Sequence, residues 1–413
     1  MSIFDLSVRF FLQLAVVLIA CRAICWAAVR IGQPPVVGEM IAGVVLGPSI
    51  FGYFFPAAQA QFFPAESRPI IFAGAQIGLA LYMFTVGLDF RVDLVRSRLK
   101  SVAAISASGI LAPFALGCGI GWFLLRQDGY FEPHVTAIQA IPFLGASMAI
   151  TAFPMLARII FERGLSGTAV GALALAAGAI DDAAAWGVLA LVLASFANDP
   201  QIAIRAIGGG IGFVVLLFTV GRYPLRWIDR LAARGESGER VALCWTLVAL
   251  LLCAWFTDTI RLYAVFGAFF LGVAMPRGAF AARLQQVIEP LTTSLLLPLF
   301  FIYSGLNTRF DLVNDAGLWL VTLAVLAAAV LGKAGACYLA ARACGETHRN
   351  ALGLGSLMNS RGLMELIIIN IGLERGMITP TLFSILVFMA IVTTLMSTPM
   401  FNRACGSDYA PRA

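Results

Sequence analysis

The sequence contains few charged residues. Only 12% of its 413 residues are Asp, Glu, Lys or Arg, whereas 60% are hydrophobic, and the mean hydropathy is +0.91. Apolar runs of about 20 residues recur along the chain, and a soluble domain of this length does not need them. A soluble fold is therefore excluded, and the lack of alternating segments of about ten residues excludes an outer-membrane β-barrel. The pattern predicts an all-α polytopic membrane protein.

Histidine is scarce and cysteine is scattered. The two histidines, His134 and His348, lie far apart, and the eight cysteines show no paired or metal-ligand spacing. This distribution indicates reduced cysteines that pack among apolar side chains, rather than disulfides or a metal centre. We expect no cofactor and no metal beyond a transported cation. The net charge of +6 reflects basic residues in cytoplasmic loops, so we expect no nucleic-acid partner.

About thirteen transmembrane spans are predicted. An outer N-terminus leaves eighteen Lys and Arg residues on the cytoplasmic side and seven outside. Because cytoplasmic loops collect basic residues, this asymmetry predicts an outer N-terminus and a cytoplasmic C-terminus, in a bacterial inner membrane. The spans are centred near residues 18, 42, 80, 112, 148, 182, 212, 248, 268, 298, 329, 363 and 391.

Two adjacent aspartates, Asp181 and Asp182, lie in an otherwise apolar stretch. A carboxylate at the bilayer centre costs about 2.5–3.5 kcal/mol on insertion scales, so such a pair indicates binding and release of cations or protons. Lys333 also lies in an apolar run, and it is one of only two lysines among 28 basic residues. A buried lysine, unlike an arginine, can lose its proton. Lys333 is therefore either a permanent partner of an aspartate or a switch that changes its ionisation when a cation binds.

The chain also contains an internal repeat. Each matched pair lies seven predicted spans apart, so the two copies are expected to have opposite orientations in the membrane. Inverted repeats of this kind are typical of secondary transporters. The matched pairs are Gly38 with Gly267, Gly43 with Gly272, Gly87 with Gly305, Arg91 with Arg309, Asp93 with Asp311, and FERG at Phe161 with LERG at Leu373.

One predicted span in each half is interrupted. In the first, residues 151–154 include Thr151 and Pro154, and proline removes a backbone donor. In the second, residues 355–362 are rich in Gly and polar residues, including Asn359, Ser360 and Arg361. Paired broken helices indicate a binding site near the bilayer midplane, where free carbonyls can coordinate a cation. A simple proline kink and a polar helix end remain the alternative.

Two further spacings bear on this site. Arg361 and Glu365 are four residues apart, so they can pair on one helix and hold the interrupted region. The FERG–LERG offset of 212 residues places Thr393 and Thr394 opposite Asp181 and Asp182. One half thus carries acids where the other carries hydroxyl groups.

Four segments carry a resemblance to the monovalent cation/proton antiporters, in the branch of Kef-type transporters and paired-aspartate sodium/proton exchangers. They are PPVVGEMIAGVVLGPS at Pro34, ITAFPMLARII at Ile150, AGAIDDAAAW at Ala177 and MNSRGLMELIIINIG at Met358. The resemblance covers nearly the whole chain. It implies a dimerisation domain and a mobile six-helix core, in which two unwound helices cross near the acids. The implied parts are residues 1–98 and 201–310 for dimerisation and linker, 99–200 and 311–403 for the core, and 404–413 for a cytoplasmic tail.

The resemblance also implies roles for single residues. Asp182 matches the essential ion-binding carboxylate, Asp181 its neighbour in electrogenic members, and Lys333 the lysine that pairs with that neighbour. We expect Thr151 and exposed carbonyls to help Asp182 hold the cation. The implied protein is a homodimeric antiporter that exchanges a monovalent cation for protons by alternating access. Na⁺ is the expected cation, and the exchange is expected to be electrogenic.

Several alternatives stay open at this stage. The segments at Ile150 and Met358 look closest to potassium-handling exchangers, so a K⁺/H⁺ exchanger is one alternative. A Kef-type K⁺ efflux channel without its regulatory domain is another. An enzyme is not expected, because an intramembrane aspartyl protease needs acids from two separate helices, whereas Asp181 and Asp182 are adjacent.

Overall fold

The computed structural model describes residues 3–33, 35–90, 98–197, 201–306 and 316–406. In these ranges the chain is almost wholly helical, and the only extended pairing is a single bridge between Phe131 and Ile378. The prediction of an all-α membrane protein is confirmed. The matched pairs Arg91 with Arg309 and Asp93 with Asp311 lie outside the described residues.

In the part of the first half that the structure describes, nine helices are present. Pro35 and Pro56 open α2 and α4, where the missing amide hydrogen of proline costs nothing. The helices are α1 (Ile3–Arg30), α2 (Pro35–Leu46), α3 (Phe51–Phe54), α4 (Pro56–Phe62), α5 (Arg68–Asp89), α6 (Leu99–Leu124), α7 (Ala137–Ala149), α8 (Phe153–Glu162) and α9 (Ala169–Ala197).

Residues 201–306 and 316–406 contain eleven helices and three π-helical turns. The turns are Leu217–Gly221, Thr292–Leu296 and Leu331–Gly335. The helices are α10 (Gln201–Leu216), α11 (Arg222–Ala232), α12 (Glu236–Thr259), α13 (Ala264–Ala274), α14 (Ala279–Leu291), α15 (Leu297–Leu306), α16 (Ala316–Val330), α17 (Ala336–Ala343), α18 (His348–Met358), α19 (Leu363–Glu374) and α20 (Pro380–Cys405).

Every predicted span centre falls within one of these helices. By length and hydropathy, nine helical segments in the described ranges can cross a membrane, and α7 and α13 are shorter apolar helices. The number thirteen therefore stays a prediction. Helices α2 and α13 have only 12 and 11 residues, so each is short for a helix that crosses a bilayer.

Both predicted interruptions are present, but their limits differ from the prediction. Residues 150–152 separate α7 from α8, and Pro154 lies in the first turn of α8 instead of ending the helix before it. Proline is tolerated in a first turn, because the amide hydrogen that it lacks has no partner there. In the second half the break covers residues 359–362, and Gly355 and Ser356 remain inside α18.

The helices pack in two groups. In one group, α6 packs against α7, α9 and α17, while α20 packs against α16 and α18. In the other group, α2 packs against α1 and α15, while α13 packs against α5 and α12. Helix α8 contacts α2 and α5, so it joins the two groups near the first break.

Two helix crossings depend on pairs of glycines. A Cβ atom on Gly43 of α2 would lie 2.2 Å from the carbonyl oxygen of Phe301 in α15, and one on Gly305 would overlap Gly43. A Cβ atom on Gly272 of α13 would lie 2.3 Å from the carbonyl oxygen of Phe84 in α5. The two crossings use repeat-matched glycines reciprocally, because Gly43 matches Gly272 and the α5 partner Gly87 matches Gly305.

Candidate functional site

The two helix breaks meet inside the protein. The amide of Ala152, in the first break, donates a hydrogen bond to the carbonyl of Ser360 in the second, at 3.3 Å. Helix ends leave their last carbonyls and first amides without intrahelical partners. The contact therefore brings unpaired backbone groups of four helix ends together, which places polar groups where continuous helices would present only side chains.

Asp181 lies on α9 beside the first break and is almost completely buried, at 1% exposure. Its Oδ1 accepts a hydrogen bond from the Ser106 hydroxyl at 2.6 Å. Its Oδ2 accepts one from the Thr151 hydroxyl at 3.0 Å and one from the Lys333 ammonium group at 2.8 Å. Three donors, from two helical segments and one break, thus surround the carboxylate, so the buried charge is compensated.

Lys333 is fully buried in the π-helical turn Leu331–Gly335. Besides Asp181, its Nζ donates to the carbonyls of Gly109 (2.6 Å) and Ala149 (2.7 Å). An ammonium group has three hydrogens and no acceptor, so three acceptors match the protonated lysine. The arrangement of acceptors around Nζ thus fits the protonated form of the side chain. Single π-helical turns often occur at functional sites, and here one carries the lysine.

Asp182 follows Asp181 on α9 and is buried as well, at 4% exposure. Adjacent residues of a helix project about 100° apart, so the two carboxylates leave α9 in different directions. Thr151, which we expected to help Asp182 hold a cation, donates its hydroxyl to Asp181 here. The two acids thus belong to different local environments, although they are neighbours in sequence.

The second break is organised around Arg361, which is fully buried. Its guanidinium group donates to the carbonyls of Ser147 (3.4 Å) and Met148 (2.6 Å) and to Glu365 (3.2 Å). The i, i+4 pair expected from the sequence is therefore formed. Together with the Lys333 bond to Ala149, the last three carbonyls of α7 all receive a cationic donor. A helix C-terminus carries partial negative charge, so both cations stabilise it.

Polar side chains fix the rest of the second break. The Thr394 hydroxyl accepts from the amide of Arg361 at 3.0 Å and donates to its carbonyl at 2.6 Å. The Asn359 side chain donates to the Thr393 carbonyl at 3.3 Å, and the Ser360 hydroxyl donates to the Leu357 carbonyl at 2.7 Å. Thr394 thus lies against the second break much as Asp181 lies against the first.

Comparison with known proteins identifies this architecture. A family model described as "Sodium/hydrogen exchanger, transmembrane" matches residues 15–403. This chain belongs to that family. The exchanger is 39% identical over 374 residues to the Na(+)/H(+) antiporter NhaS4 of Synechocystis sp., which covers 90% of this chain and 91% of that protein. Its family is thus one of monovalent cation/proton antiporters, and antiport is its activity.

Two further comparisons extend this result. The exchanger is 30% identical over 411 residues to the K(+)/H(+) antiporter 1 of Saccharomyces cerevisiae, covering 97% of this chain but 47% of that protein. It therefore spans about half the length of that relative. A solved structure of the sodium proton antiporter MjNhaP1 from Methanocaldococcus jannaschii matches with a TM-score of 0.64 at 16% identity, covering 96% and 97% of the two chains. At this low identity, the match shows that the two proteins share a fold.

Two contributors to the site were not singled out from the sequence. Ser106 and Gly109 of α6 supply a hydroxyl and a carbonyl to the Asp181–Lys333 pair. A Cβ atom on Gly109 would lie 2.8 Å from the Cys337 sulfur and 3.3 Å from Asp181 Oδ2, so a larger residue would press on the pair. Their only sequence signal is that small and polar residues recur in the otherwise apolar α6.

A second buried charge cluster joins the two helix groups of the exchanger. Arg158 of α8 pairs with Glu162 on the same helix at 2.5 Å and lies 3.6 Å from Glu39 of α2. The amide of Val36, at the start of α2, donates to Glu162 at 3.2 Å. Glu39 is therefore part of a contact between α2 and α8, about which the sequence alone gave no clear indication.

Proposed function

We propose that the exchanger carries Na⁺ in exchange for protons, with K⁺ as the alternative cargo, and that Asp182 binds the cation and the proton in turn. The observation that supports this role is the engagement of Asp181 by Ser106, Thr151 and Lys333. A cation that bound Asp181 would have to displace three donors, which costs free energy. We therefore assign cation binding to the adjacent buried acid, Asp182, which matches the ion-binding carboxylate of the family that the sequence resembles.

The choice of Na⁺ over K⁺ rests on sequence features that point both ways. An acid at Asp181 favours sodium, because some potassium-specific relatives carry an amide there, whereas the segments at Ile150 and Met358 favour potassium. Of the two relatives compared above, the Synechocystis protein is named as a Na⁺/H⁺ antiporter and the yeast protein as a K⁺/H⁺ antiporter. Selectivity depends on cavity size and the placement of carbonyl oxygens, so a flux measurement with each ion decides it.

We further propose an electrogenic cycle in which Lys333 takes part. As the monovalent cation binds, one proton leaves Asp182 and a second leaves Lys333, so two protons move against one cation. For Lys333 to lose its proton, it must leave the carbonyls of Gly109 and Ala149, which accept its hydrogen bonds here. Deprotonation would thus be coupled to a movement of α6 and α7. If Lys333 keeps its charge throughout, one proton per cation makes the exchange electroneutral.

The movement that we propose is alternating access between a core (residues 99–200 and 311–403) and a dimerisation part (residues 1–98 and 201–310). The separate packing of the two helix groups supports this division. The reciprocal glycine crossings support inverted repeats, which allow the two halves to exchange roles. We place this homodimer in a bacterial inner membrane, with an outer N-terminus and a cytoplasmic C-terminus.

The test is cation-driven proton flux in proteoliposomes with an internal pH dye, challenged in turn with Na⁺, Li⁺ and K⁺. We expect cation-dependent alkalinisation in the wild type and none in Asp182→Asn, which keeps the shape of the side chain but removes its charge. Glu66→Gln, an acid in the short 3₁₀ turn Ala65–Ser67 away from both breaks, is the matched control and should retain flux.

A passive K⁺ channel is the second candidate function, and the same experiment tests it. A passive K⁺ channel would move cations without coupled protons and would not need Asp182. The buried positive charge of Lys333 beside the breaks disfavours conduction, because a fixed ammonium group repels cations at short range. Cation flux without proton flux, or flux that survives Asp182→Asn, would replace the antiport mechanism by the channel.

A further inference from the structure

One long helix of the exchanger changes character along its length. It comprises α10, the π-helical turn Leu217–Gly221 and α11, and residues 204–232 are long and apolar enough to span a membrane. Its first part presents large apolar side chains to the outside of the protein, as expected for a surface that contacts lipid tails. These exposed side chains are Ile204, Ile207, Ile211, Val215, Phe218 and Val220.

The dimensions of this helix locate its basic end. The uncharged part between Arg205 and Arg222, residues 206–221, is about 24 Å long at 1.5 Å per residue, slightly less than the roughly 30 Å hydrocarbon thickness of a bilayer. Residues from Arg222 onward therefore lie at the level of the lipid headgroups or beyond it. Arg226 is about 6 Å further along the axis than Arg222, and Arg230 about 12 Å.

Arginines form a stripe on this end of the helix. Arg222, Arg226 and Arg230 follow one another at intervals of four residues, so each is offset by only about 40° around the axis. All three are exposed, and exposed Arg234 continues the spacing just beyond α11. Asp229 is the only acid in α11 and is half-buried. The stripe therefore presents an excess of positive charge to one side.

Aromatic side chains lie next to the stripe. Tyr223 and Trp227 are 60% and 50% exposed, and Trp227 packs edge-on against Trp245 of α12, with ring centroids 6.0 Å apart. Tryptophan and tyrosine are enriched at the membrane–water boundary, where an apolar ring and a polar group both find suitable surroundings. On the opposite side, Leu225 and Ile228 are buried, so α11 holds its arginines outward.

We propose that the basic and aromatic side of α11 is a binding site for the headgroups of anionic phospholipids. The guanidinium groups of Arg222 and Arg226 would pair with the lipid phosphate, since a guanidinium fork matches phosphate oxygens in two-point geometry. Tyr223 and Trp227 would pack on the glycerol and upper acyl region. The basic bias of cytoplasmic loops alone would not explain the stripe. That bias requires neither a four-residue spacing of arginines nor exposed aromatic rings beside them.

The site has a structural link to the ion-binding helix. Helix α10 packs against α9, which carries Asp181 and Asp182, while α11 packs against α12 in the other helix group. The π-helical turn between α10 and α11 is a place where such a helix can bend. A lipid bound to α11 would therefore hold one end of the connection between the two groups. The proposal does not depend on which cation is carried.

The test is lipid binding to the full-length protein in detergent micelles. Native mass spectrometry would count retained phosphatidylglycerol and phosphatidylcholine, and brominated forms of each lipid would quench tryptophan fluorescence. We expect preferential retention of phosphatidylglycerol and stronger quenching by brominated phosphatidylglycerol than by brominated phosphatidylcholine, and this difference should shrink in Trp227→Phe. The double variant Arg222→Gln/Arg226→Gln should bind phosphatidylglycerol roughly 30-fold more weakly, because each arginine near an anionic surface contributes about fivefold.

Arg126→Gln is the matched control. Arg126 also ends a membrane helix and lies 3.5 Å from the ring of Trp122, but it is a single arginine. We expect this variant to bind as the wild type does. Equal loss in Arg126→Gln, or equal retention of the two lipids, would overturn the proposal. Displacement by inorganic phosphate would show a free-anion site instead, and displacement by an acidic peptide alone would show a protein-docking surface.

Discussion

Two of the buried ion pairs lie at the C-terminal end of α7, yet they are built differently. Lys333 and Arg361 both donate to the last carbonyls of α7. The Arg361–Glu365 pair is local, four residues apart on one chain segment, whereas Lys333 and Asp181 come from helices 152 residues apart. One pair uses a guanidinium group, which stays protonated, and the other an ammonium group, which can discharge when buried.

This difference suggests a division of labour. The arginine pair fixes the meeting point of the two breaks, because a permanent charge with several donors holds several carbonyls at once. The lysine pair joins three helices through a group whose charge can change. A site that must both hold its shape and alter its charge would therefore need both kinds of cation at the same helix end.

The largest expected effect comes from removing one partner of the lysine pair. In Lys333→Met, Asp181 would keep a buried charge without its cation, and the carbonyls of Gly109 and Ala149 would lose their donor. Breaking a buried pair in this way costs about 3–5 kcal/mol. We expect no cation-driven proton flux and a markedly lower melting temperature in detergent.

The double variant Asp181→Asn/Lys333→Met is the control for that experiment. It removes both charges, so it should recover much of the lost stability without recovering electrogenic exchange. A Lys333→Met protein that melts like the wild type would contradict the buried pair seen here.

A second prediction exchanges the two kinds of cation. Lys333→Arg keeps a positive charge beside Asp181 but cannot release a proton, so exchange should lose its dependence on an imposed membrane potential. Arg361→Lys should keep the potential dependence but lower stability by about 1–3 kcal/mol, because one ammonium group cannot replace all the guanidinium bonds. Flux in proteoliposomes with a valinomycin-clamped potential distinguishes the two variants. If exchange in Lys333→Arg still depended on the membrane potential, Lys333 would not be a group that releases a transported proton.

A third prediction concerns the α6 contribution to the lysine pair. Ser106→Ala removes the donor to Asp181 Oδ1. The Asp181 carboxylate then depends more on Lys333 to compensate its charge, so Lys333 is held more strongly in its charged form and releases its proton less readily. We expect the pH of half-maximal exchange to rise, with maximal rate little changed. Ser108→Ala, whose hydroxyl donates to the Ile105 carbonyl of its own helix, should leave the pH profile where it is.

The sequence indicated those groups whose presence in an apolar span is costly. Asp181, Asp182, Lys333, Arg361 and Glu365 were all found in this way, because each charge in a membrane needs an explanation. The breaks were also found, although Pro154 begins a helix instead of ending one. Proline is compatible both with the residues that follow a helix end and with the first turn of the next helix. Its presence alone therefore does not show on which side of the break it lies.

Other parts of the site had no such signal. Placing a serine or a glycine in a membrane helix costs little free energy, so Ser106 and Gly109 do not stand out in the sequence. They contact Asp181 and Lys333, which lie 75 and 224 residues further along the chain. Only the packing of α6 against α9 and the π-helical turn brings them together. The Glu39–Arg158 contact was missed for the same reason, since charged residues near a predicted span end are ordinary until a partner helix buries them.

The smallest expected effect compares the two breaks directly. Thr151→Val removes a donor to Asp181, whereas Thr394→Val removes the hydroxyl that both accepts from and donates to the Arg361 backbone. Each change should lower the free energy of unfolding by about 1 kcal/mol. Only Thr151→Val should also move the pH profile of exchange upward, because only it removes a partner of Asp181, whose paired lysine we propose to release a proton. If Thr394→Val moved the profile equally, proton binding would have to involve the second break as well, and the contrast between a charge-changing pair and a fixed pair would not hold.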